Sequence, residues 1–231
     1  MRTQLLAATA LGSTIGFLIP GALMAAETAY DWSGFYAGLG VGLADSTAQV
    51  DFSDIATPAN FTAPASVRIP ALGKDGSVRF GYNWQAGKLV YGIEADGTIT
   101  DLAGRVTGST YTITDSLGML LSLRARFGVA FDRLLVYGNI GLAAGKSSFH
   151  ADVSAGTPAQ GSGLTTGEIL GIGGEYAITD RIGLTATANY YALAPLHDHG
   201  VSDLGYASTT TYNANHTPRG LIFETGVNVH F

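Results

Sequence analysis

From Leu221 to Phe231 the chain reads LIFETGVNVHF, and its side chains alternate with a period of two. Leu221, Phe223, Thr225, Val227, Val229 and Phe231 fall on one face; Ile222, Glu224, Gly226, Asn228 and His230 fall on the other. Such alternation predicts a strand with one apolar and one polar face. An apolar strand left at the edge of a sheet in water would invite aggregation. Closed into a barrel within a membrane, the same strand has no edge, and Phe231 stands at the interface. The rest of the chain is read against that constraint.

Composition agrees with it. The sequence is 46% hydrophobic and only 13% charged, against roughly 25% charged in ordinary soluble domains. Yet beyond residue 26 no apolar run approaches the roughly 20 residues of a spanning helix. Alternating membrane strands reconcile the two facts. The 32 glycines disfavour long helices and suit tight turns and crowded barrel walls. A net charge of -6 without a basic stripe argues against nucleic acid. With no cysteine, structural disulfides and thiolate metal sites are excluded.

Residues 1–26 carry Arg2, an apolar stretch from Leu5 to Leu18, a break at Pro20 and Gly21, and small residues at Ala25 and Ala26. That order predicts a cleavable signal peptide, followed by one barrel domain over 27–231.

Eight strands are expected. The first, within DWSGFYAGLGVG, turns Phe35, Ala37, Leu39, Val41 and Leu43 outward and Tyr36 inward. The fourth turns Leu117, Met119, Leu121, Leu123, Ala125, Phe127 and Val129 outward, with Arg124 and Arg126 inward. Parity in the sixth points Glu168 at lipid, unless that residue lies at the rim or a bulge shifts the phase. Connections alternate between tight (85–88, 132–133, 179–181) and long (45–75, 101–110, 146–163, 194–218), the layout of periplasmic turns and extracellular loops. All seven prolines (Pro20, Pro58, Pro64, Pro70, Pro158, Pro195, Pro218) are assigned to the leader or the long loops, because a proline in a lipid-facing ladder forfeits a hydrogen bond. Phe35, Trp84, Tyr91, Phe131, Tyr176 and Phe231 fall near the presumed periplasmic boundary, where an interfacial aromatic girdle is expected. A soluble eight-stranded barrel would need the opposite arrangement, charge outside and grease inside. The fold class is therefore an all-β, eight-stranded antiparallel up-and-down transmembrane barrel.

Two stretches carry a family resemblance. The opening Trp32-Ser33-Gly34-Phe35-Tyr36-Ala37-Gly38 resembles the start of the small porin-like outer-membrane proteins of alphaproteobacteria. The ending Glu224-Thr225-Gly226-Val227-Asn228-Val229-His230-Phe231 is similar to the recognition signature of outer-membrane barrels, with Glu224, Gly226, Val229 and Phe231 as its key positions. The resemblance implies the OmpA-like barrel superfamily, a multi-pass location in the outer membrane of a Gram-negative bacterium, and insertion by the barrel-assembly machinery. It also implies contact with outer-membrane lipid and lipopolysaccharide. Larger members carry a peptidoglycan-binding domain, which is not expected here.

Three constellations bear on function. Inward charges at Arg79, Glu94, Asp96, Arg124, Arg126, Glu175 and Glu224 predict a lumen network, with Glu94 bridging Arg79 and Arg126. A filled lumen in which these groups satisfy one another is preferred over an ion gate, since an eight-stranded interior is just wide enough for side chains. His150, His197, His199 and His216 fall in long loops and offer weak candidates for metal or haem, with no diagnostic ligand spacing. No serine–histidine–acid cluster stands out, so no enzyme is expected. The reading is a non-enzymatic barrel contributing to envelope integrity and surface interaction, with no resident cofactor and an unidentified extracellular partner. A small gated pore and a haem or metal receptor are the alternatives.

Overall fold

The computed structural model describes residues 30–53, 66–108, 111–153, 159–203 and 209–231. The expected leader, Pro58, Pro64 and Pro158 lie outside them. Nine strand segments form one sheet: β1 (Gly34–Ser53), β2 (Ser66–Ala86), β3 (Leu89–Thr107), β4 (Tyr111–Phe131), β5 (Leu134–Val153), β6 (Ala159–Ala177), β7 (Ile182–Leu193), β8 (Leu196–Asp203) and β9 (Thr209–His230). Eight of them close a ring in the order β1 to β7, then β9, which pairs back onto β1. All pairings are antiparallel. The short β8 follows Pro195 and pairs only with the upper part of β9. Eight staves close the barrel.

Its geometry follows from register. The chain of paired residues Ala37, Phe80, Ala95, Leu123, Leu142, Glu168, Ala192, Arg219 returns to β1 at Thr47, ten residues above Ala37. Strand number and stagger together set the tilt. The tight turns match their chemistry. Gly87 adopts φ 62° between β2 and β3, and Asp132 adopts φ 54° between β4 and β5, a left-handed conformation that aspartate tolerates.

Outward faces are apolar from the turns upward and then stop at a charge. Asp45, Lys74, Asp101, Lys146, Glu168 and Arg219 all point outward and are exposed. With roughly 2.3 Å of axial rise per residue on strands tilted about 45°, Phe35 to Asp45 spans about 23 Å, close to the ~25 Å apolar band of outer-membrane barrels. The charges thus form a belt at the outer interface. Glu168 belongs to its lower edge: Ile169 is buried and Leu170 exposed, so the phase does not shift there. Phe35, Trp84, Tyr91, Phe131, Tyr176 and Phe231 are exposed at the opposite, turn-bearing end.

Several expectations are corrected here. The segments assigned to long loops are largely strand: β1 runs to Ser53, β2 begins at Ser66, β5 reaches Val153 and β8–β9 occupies most of 194–218. Pro70 and Pro218 accordingly lie inside β2 and β9, opposite Thr47 and Ala48. Pro70 is exposed above the charge belt, where water can satisfy the backbone that a proline leaves open, whereas Pro218 is buried one residue above Arg219. Leu117 points inward and is buried, because the β4–β5 register shifts between Leu117 and Met119. A bulge inserts one residue and flips every side chain beyond it.

The band makes a depth-dependent prediction. Leu39, exposed midway between Phe35 and Asp45, becomes costly as Leu39→Arg, by about 2–4 kcal/mol. Leu134→Arg, beside the β4–β5 turn, is expected to cost at most about 1 kcal/mol. Urea unfolding of the two variants refolded into lipid vesicles measures the difference.

Candidate functional site

Alternation turns the other half of each strand into the lumen, and three tiers fill it. The lowest is aromatic. Residues Tyr30 to Ser33 precede β1 and fold beneath the mouth, where Tyr30 and Trp32 pack with Val90, Ala130, Leu135, Tyr137 and Ala177. Trp32 is fully buried. Its backbone N–H donates to Gln85 Oε1 (2.7 Å) and its Nε1–H to the Asp132 carbonyl (3.2 Å). Tyr30 O–H donates to the Asp180 carbonyl (3.3 Å), and Arg133, which bridges to Asp180 at 2.8 Å, lies 5.7 Å over the Tyr30 ring. One short segment is thus tied to all three turns. The sequence marks Trp32 only as a family-like opening; its role in closing the mouth is visible in three dimensions alone.

Above the cap lies the charged tier, centred on Arg126. The guanidinium bridges Glu94 (3.3 Å) on the neighbouring strand and Glu175 (3.5 Å) on β6, two strands away. It hydrogen-bonds the Tyr36 hydroxyl and sits 3.8 Å from the Tyr137 ring centroid and 5.0 Å from that of Tyr36. Tyr36 in turn donates to Glu94 Oε2 (2.7 Å). Glu175 receives Asn228 Nδ2–H (2.8 Å) and His230 Nε2–H (2.7 Å). His230 stands edge-on to Trp32, 5.6 Å between centroids, and so joins this tier to the cap. Glu94 and Glu175 are each held by several donors, as a buried charge requires.

Glu94 does not bridge Arg79 and Arg126 as the strand order suggests. It joins Arg126 to Arg124, whose Nη2 lies 2.8 Å from Glu94 and 3.3 Å from Asp96. Arg79 turns the other way, crossing β1 to reach Glu224 on β9 at 3.5 Å, with Ser77 Oγ accepting at 3.2 Å. The crossing is possible because β1 presents glycine there. A Cβ on Gly40 would lie 2.6 Å from Arg79 Nη2 and 3.3 Å from Glu224 Oε1. Only a bare backbone admits that approach.

The top tier is apolar: Ala44, Ala71, Leu102, Leu117, Leu120, Ala143, Ile169, Tyr191, Leu193 and Ile222 pack together. It closes over the charges at the end of the barrel away from the three tight turns. Farther out, the β8–β9 ladder places His197 opposite Asn215, His199 opposite Asn213, and His216 opposite Leu196. Among the described residues no set of three histidine, aspartate or glutamate side chains converges on a metal position. On β9, Glu224 points inward and is buried, whereas Val229 and Phe231 point outward. The Phe231 N–H donates to the Phe35 carbonyl (3.0 Å) across the β1–β9 seam.

This architecture has relatives. The family model described as the outer membrane protein beta-barrel domain matches residues 15–231. The 31 kDa outer-membrane immunogenic protein of Brucella melitensis is 34% identical over 188 residues, covering 76% of this chain and 77% of that protein. The 22 kDa outer membrane protein of Rhizobium leguminosarum is 34% identical over 111 residues, 48% of each chain. Among solved structures, the outer membrane protein OprG of Pseudomonas aeruginosa aligns over 86% of this chain and 96% of its own. Its TM-score is 0.51 at 12% identity, which is a likeness of fold. A closed ring of eight antiparallel strands, a family match over most of the sequence and alphaproteobacterial kin converge on one conclusion: the chain belongs to the outer-membrane β-barrel domain family and is a multi-pass protein of a Gram-negative outer membrane.

Proposed function

We propose that this protein is a closed, non-enzymatic barrel that contributes to envelope integrity and carries surface interactions on the hairpins above its charge belt. The observation that carries the proposal is the filling of the lumen, from Trp32 at one mouth through the Arg126 network to the Leu117–Leu193 cluster. Arg79, Arg124 and Arg126 are engaged with Glu94, Asp96, Glu175 and Glu224 rather than lining a cleft that could admit a substrate. The Brucella relative is named for its immunogenicity, which supports a surface role.

Two partners follow from the outward face. Lys74, Lys146 and Arg219 in the belt, with Arg68 and Arg105 above it, are exposed and suit the phosphates of lipopolysaccharide. The barrel-assembly machinery is the partner for β9, through Glu224, Gly226, Val229 and Phe231.

Planar bilayers test the closed lumen. The wild-type protein is expected to pass almost no steady current. A large, steady conductance would overturn the plug. A flickering current that grows in Glu94→Ala would replace it with a gate, because Glu94 holds both Arg124 and Arg126 across the passage.

A further inference from the structure

We propose that the upper part of β6 is an open sheet edge that receives an extended segment of a partner protein as an added strand. Through the apolar band the wall is continuous: β6 pairs with β5 on one side and with β7 on the other, as far as Gly167 opposite Leu193. The Ala194 N–H still donates to the Thr166 carbonyl (2.8 Å), and above that bond the two staves part. From Thr165 up to Ala159, β6 is paired with β5 alone, Thr165 opposite Gly145 and Ala159 opposite Ala151. β8 is paired with β9 alone. Among the described residues no ladder joins β6 to β8.

The parting has a local cause. Ala192 pairs with Arg219, but Leu196 pairs with His216, so residues 193–195 stand against only 217–218. One extra residue makes a bulge, which bends its strand and increases the twist. Pro195 lies within it and has no N–H to offer a ladder. Beyond the bulge the chain follows β9 and leaves β6 bare.

Alternation decides what that edge presents. Successive residues of a strand direct their N–H and C=O to opposite sides. Because the Thr166 carbonyl faces β7, Leu164 and Ser162 present their backbone groups to the same open side, while Gly163 and Thr165 face β5. Nothing guards the edge: from Ala159 to Gly167 the chain has neither a charge nor a proline, two devices that normally protect a bare strand. Leu164, across from Lys146 on β5, adds an exposed apolar side chain (64%). A row of unpaired backbone groups with an apolar anchor is what strand addition requires.

Geometry and charge narrow the occupant. Two barrels inserted with the same end outward are related by an axis along the membrane normal, so their tilted β6 strands would cross instead of lying side by side. The connections 154–158 and 204–208 are too short to send a strand back into the slot. Glu168, exposed at the foot of the slot with no cation paired to it, favours a basic residue at the membrane-proximal end of the incoming segment. β6 descends from Ala159 to Ala177, so antiparallel addition makes that the segment's N-terminal end. The occupant is therefore an extended segment of a partner protein, free of acidic residues and led by a positive charge. Strand addition here deepens the surface role proposed above and depends on it, but not on the closed lumen. A conducting barrel would leave the edge in place, and a covered edge would leave the lumen closed.

Amide hydrogen exchange of the full protein in lipid nanodiscs tests the edge directly. Without a ligand, Ser162 and Leu164 are expected to exchange fast and Gly163 and Thr165 slowly. The probe is a synthetic peptide, lysine followed by three threonine–valine repeats. It is expected to slow exchange at Ser162 and Leu164, and to lose that effect when N-methylated on the amides that would face β6. Ser162→Pro deletes an edge donor without touching the β5 ladder, so it weakens the peptide by about tenfold, roughly the worth of one hydrogen bond. Glu168→Gln, or moving the lysine to the other end of the peptide, weakens it as well. If Ser162→Pro does not assemble, the N-methylated peptide makes the same comparison on the wild type. Ser162 and Leu164 amides as protected as that of Gly163 before peptide is added would overturn the proposal, because another strand then covers the edge. Protection that grows with protein density in the membrane would identify that strand as a second copy. A peptide that leaves both amides unprotected, or that binds the wild type and Ser162→Pro alike, overturns it too.

Discussion

Arg126→Met weakens the barrel by about 3–5 kcal/mol, the cost of removing one partner from a buried ion pair. Methionine fills similar volume, so the loss is electrostatic. Glu94 keeps Arg124 and Tyr36, but Glu175 is left to His230 and Asn228, and two aromatic faces lose their cation. Any water that enters the lumen reduces the penalty. Arg126→Lys retains the charge and loses the planar fork that spans two carboxylates, so it falls between the wild type and methionine. Unfolding in urea, read by tryptophan emission, gives the order. A change below about 1 kcal/mol for Arg126→Met would mean that the surrounding carboxylates need no cation, which contradicts the network.

Trp32→Ala has a comparable effect, about 3–5 kcal/mol, since it deletes a fully buried indole and its two hydrogen bonds. Trp32→Phe keeps the ring stack and loses only the Nε1–H donor, so it costs less. The chain contains two tryptophans, and Trp84 is exposed on the outward face. A Trp84→Phe background therefore isolates the emission of the cap. In it, Trp32 is shielded from aqueous quenchers and from quenchers carried on lipid tails alike. Quenching from the water phase as strong as that of free tryptophan would show that the segment does not close the mouth.

Which parts of this protein are legible in sequence follows from where lipid acts. Between the turns and the charge belt, hydrocarbon rejects charged outward residues, so Phe35 to Leu43 or Leu221 to Phe231 declare their faces one residue at a time. Above the belt that pressure ends. Asp45 still points outward and Ala44 inward, but the contrast no longer looks like a membrane strand. The hairpins accordingly read as loops, and Pro70 and Pro218 read as loop markers. Leu117 misleads for a different reason: a bulge changes phase without changing composition, and Gly118 is a weak sign of it.

Within the lumen, sequence parity identifies who points inward but not who meets whom. Adjacent strands suggested Arg79 with Glu94, yet Arg79 passes over a glycine-lined stave to the strand beyond. A side chain that is absent leaves no mark in a pattern of polarity. Tyr36, Asn228 and His230 point inward by parity as well, and only their convergence with Tyr137 on Arg126 and Glu175 reveals what they hold. The cap is the least legible of all, because a segment without periodicity has no face to predict.

The ladder that continues past the charge belt gives the surface of this protein a particular kind of evolvability. β1 and β2 remain paired from Asp45 opposite Leu72 up to Asp51 opposite Ser66, well clear of the apolar band. A hairpin built this way separates the part that changes from the part that must not. Adding one residue to each arm lengthens the ribbon by a rung and leaves the faces below untouched, whereas adding a single residue to one arm reverses the faces only above the insertion or is absorbed as a bulge. Sequence change can therefore act on the upper rungs without renegotiating the lipid contacts, and the protein can change its appearance while keeping its foundations.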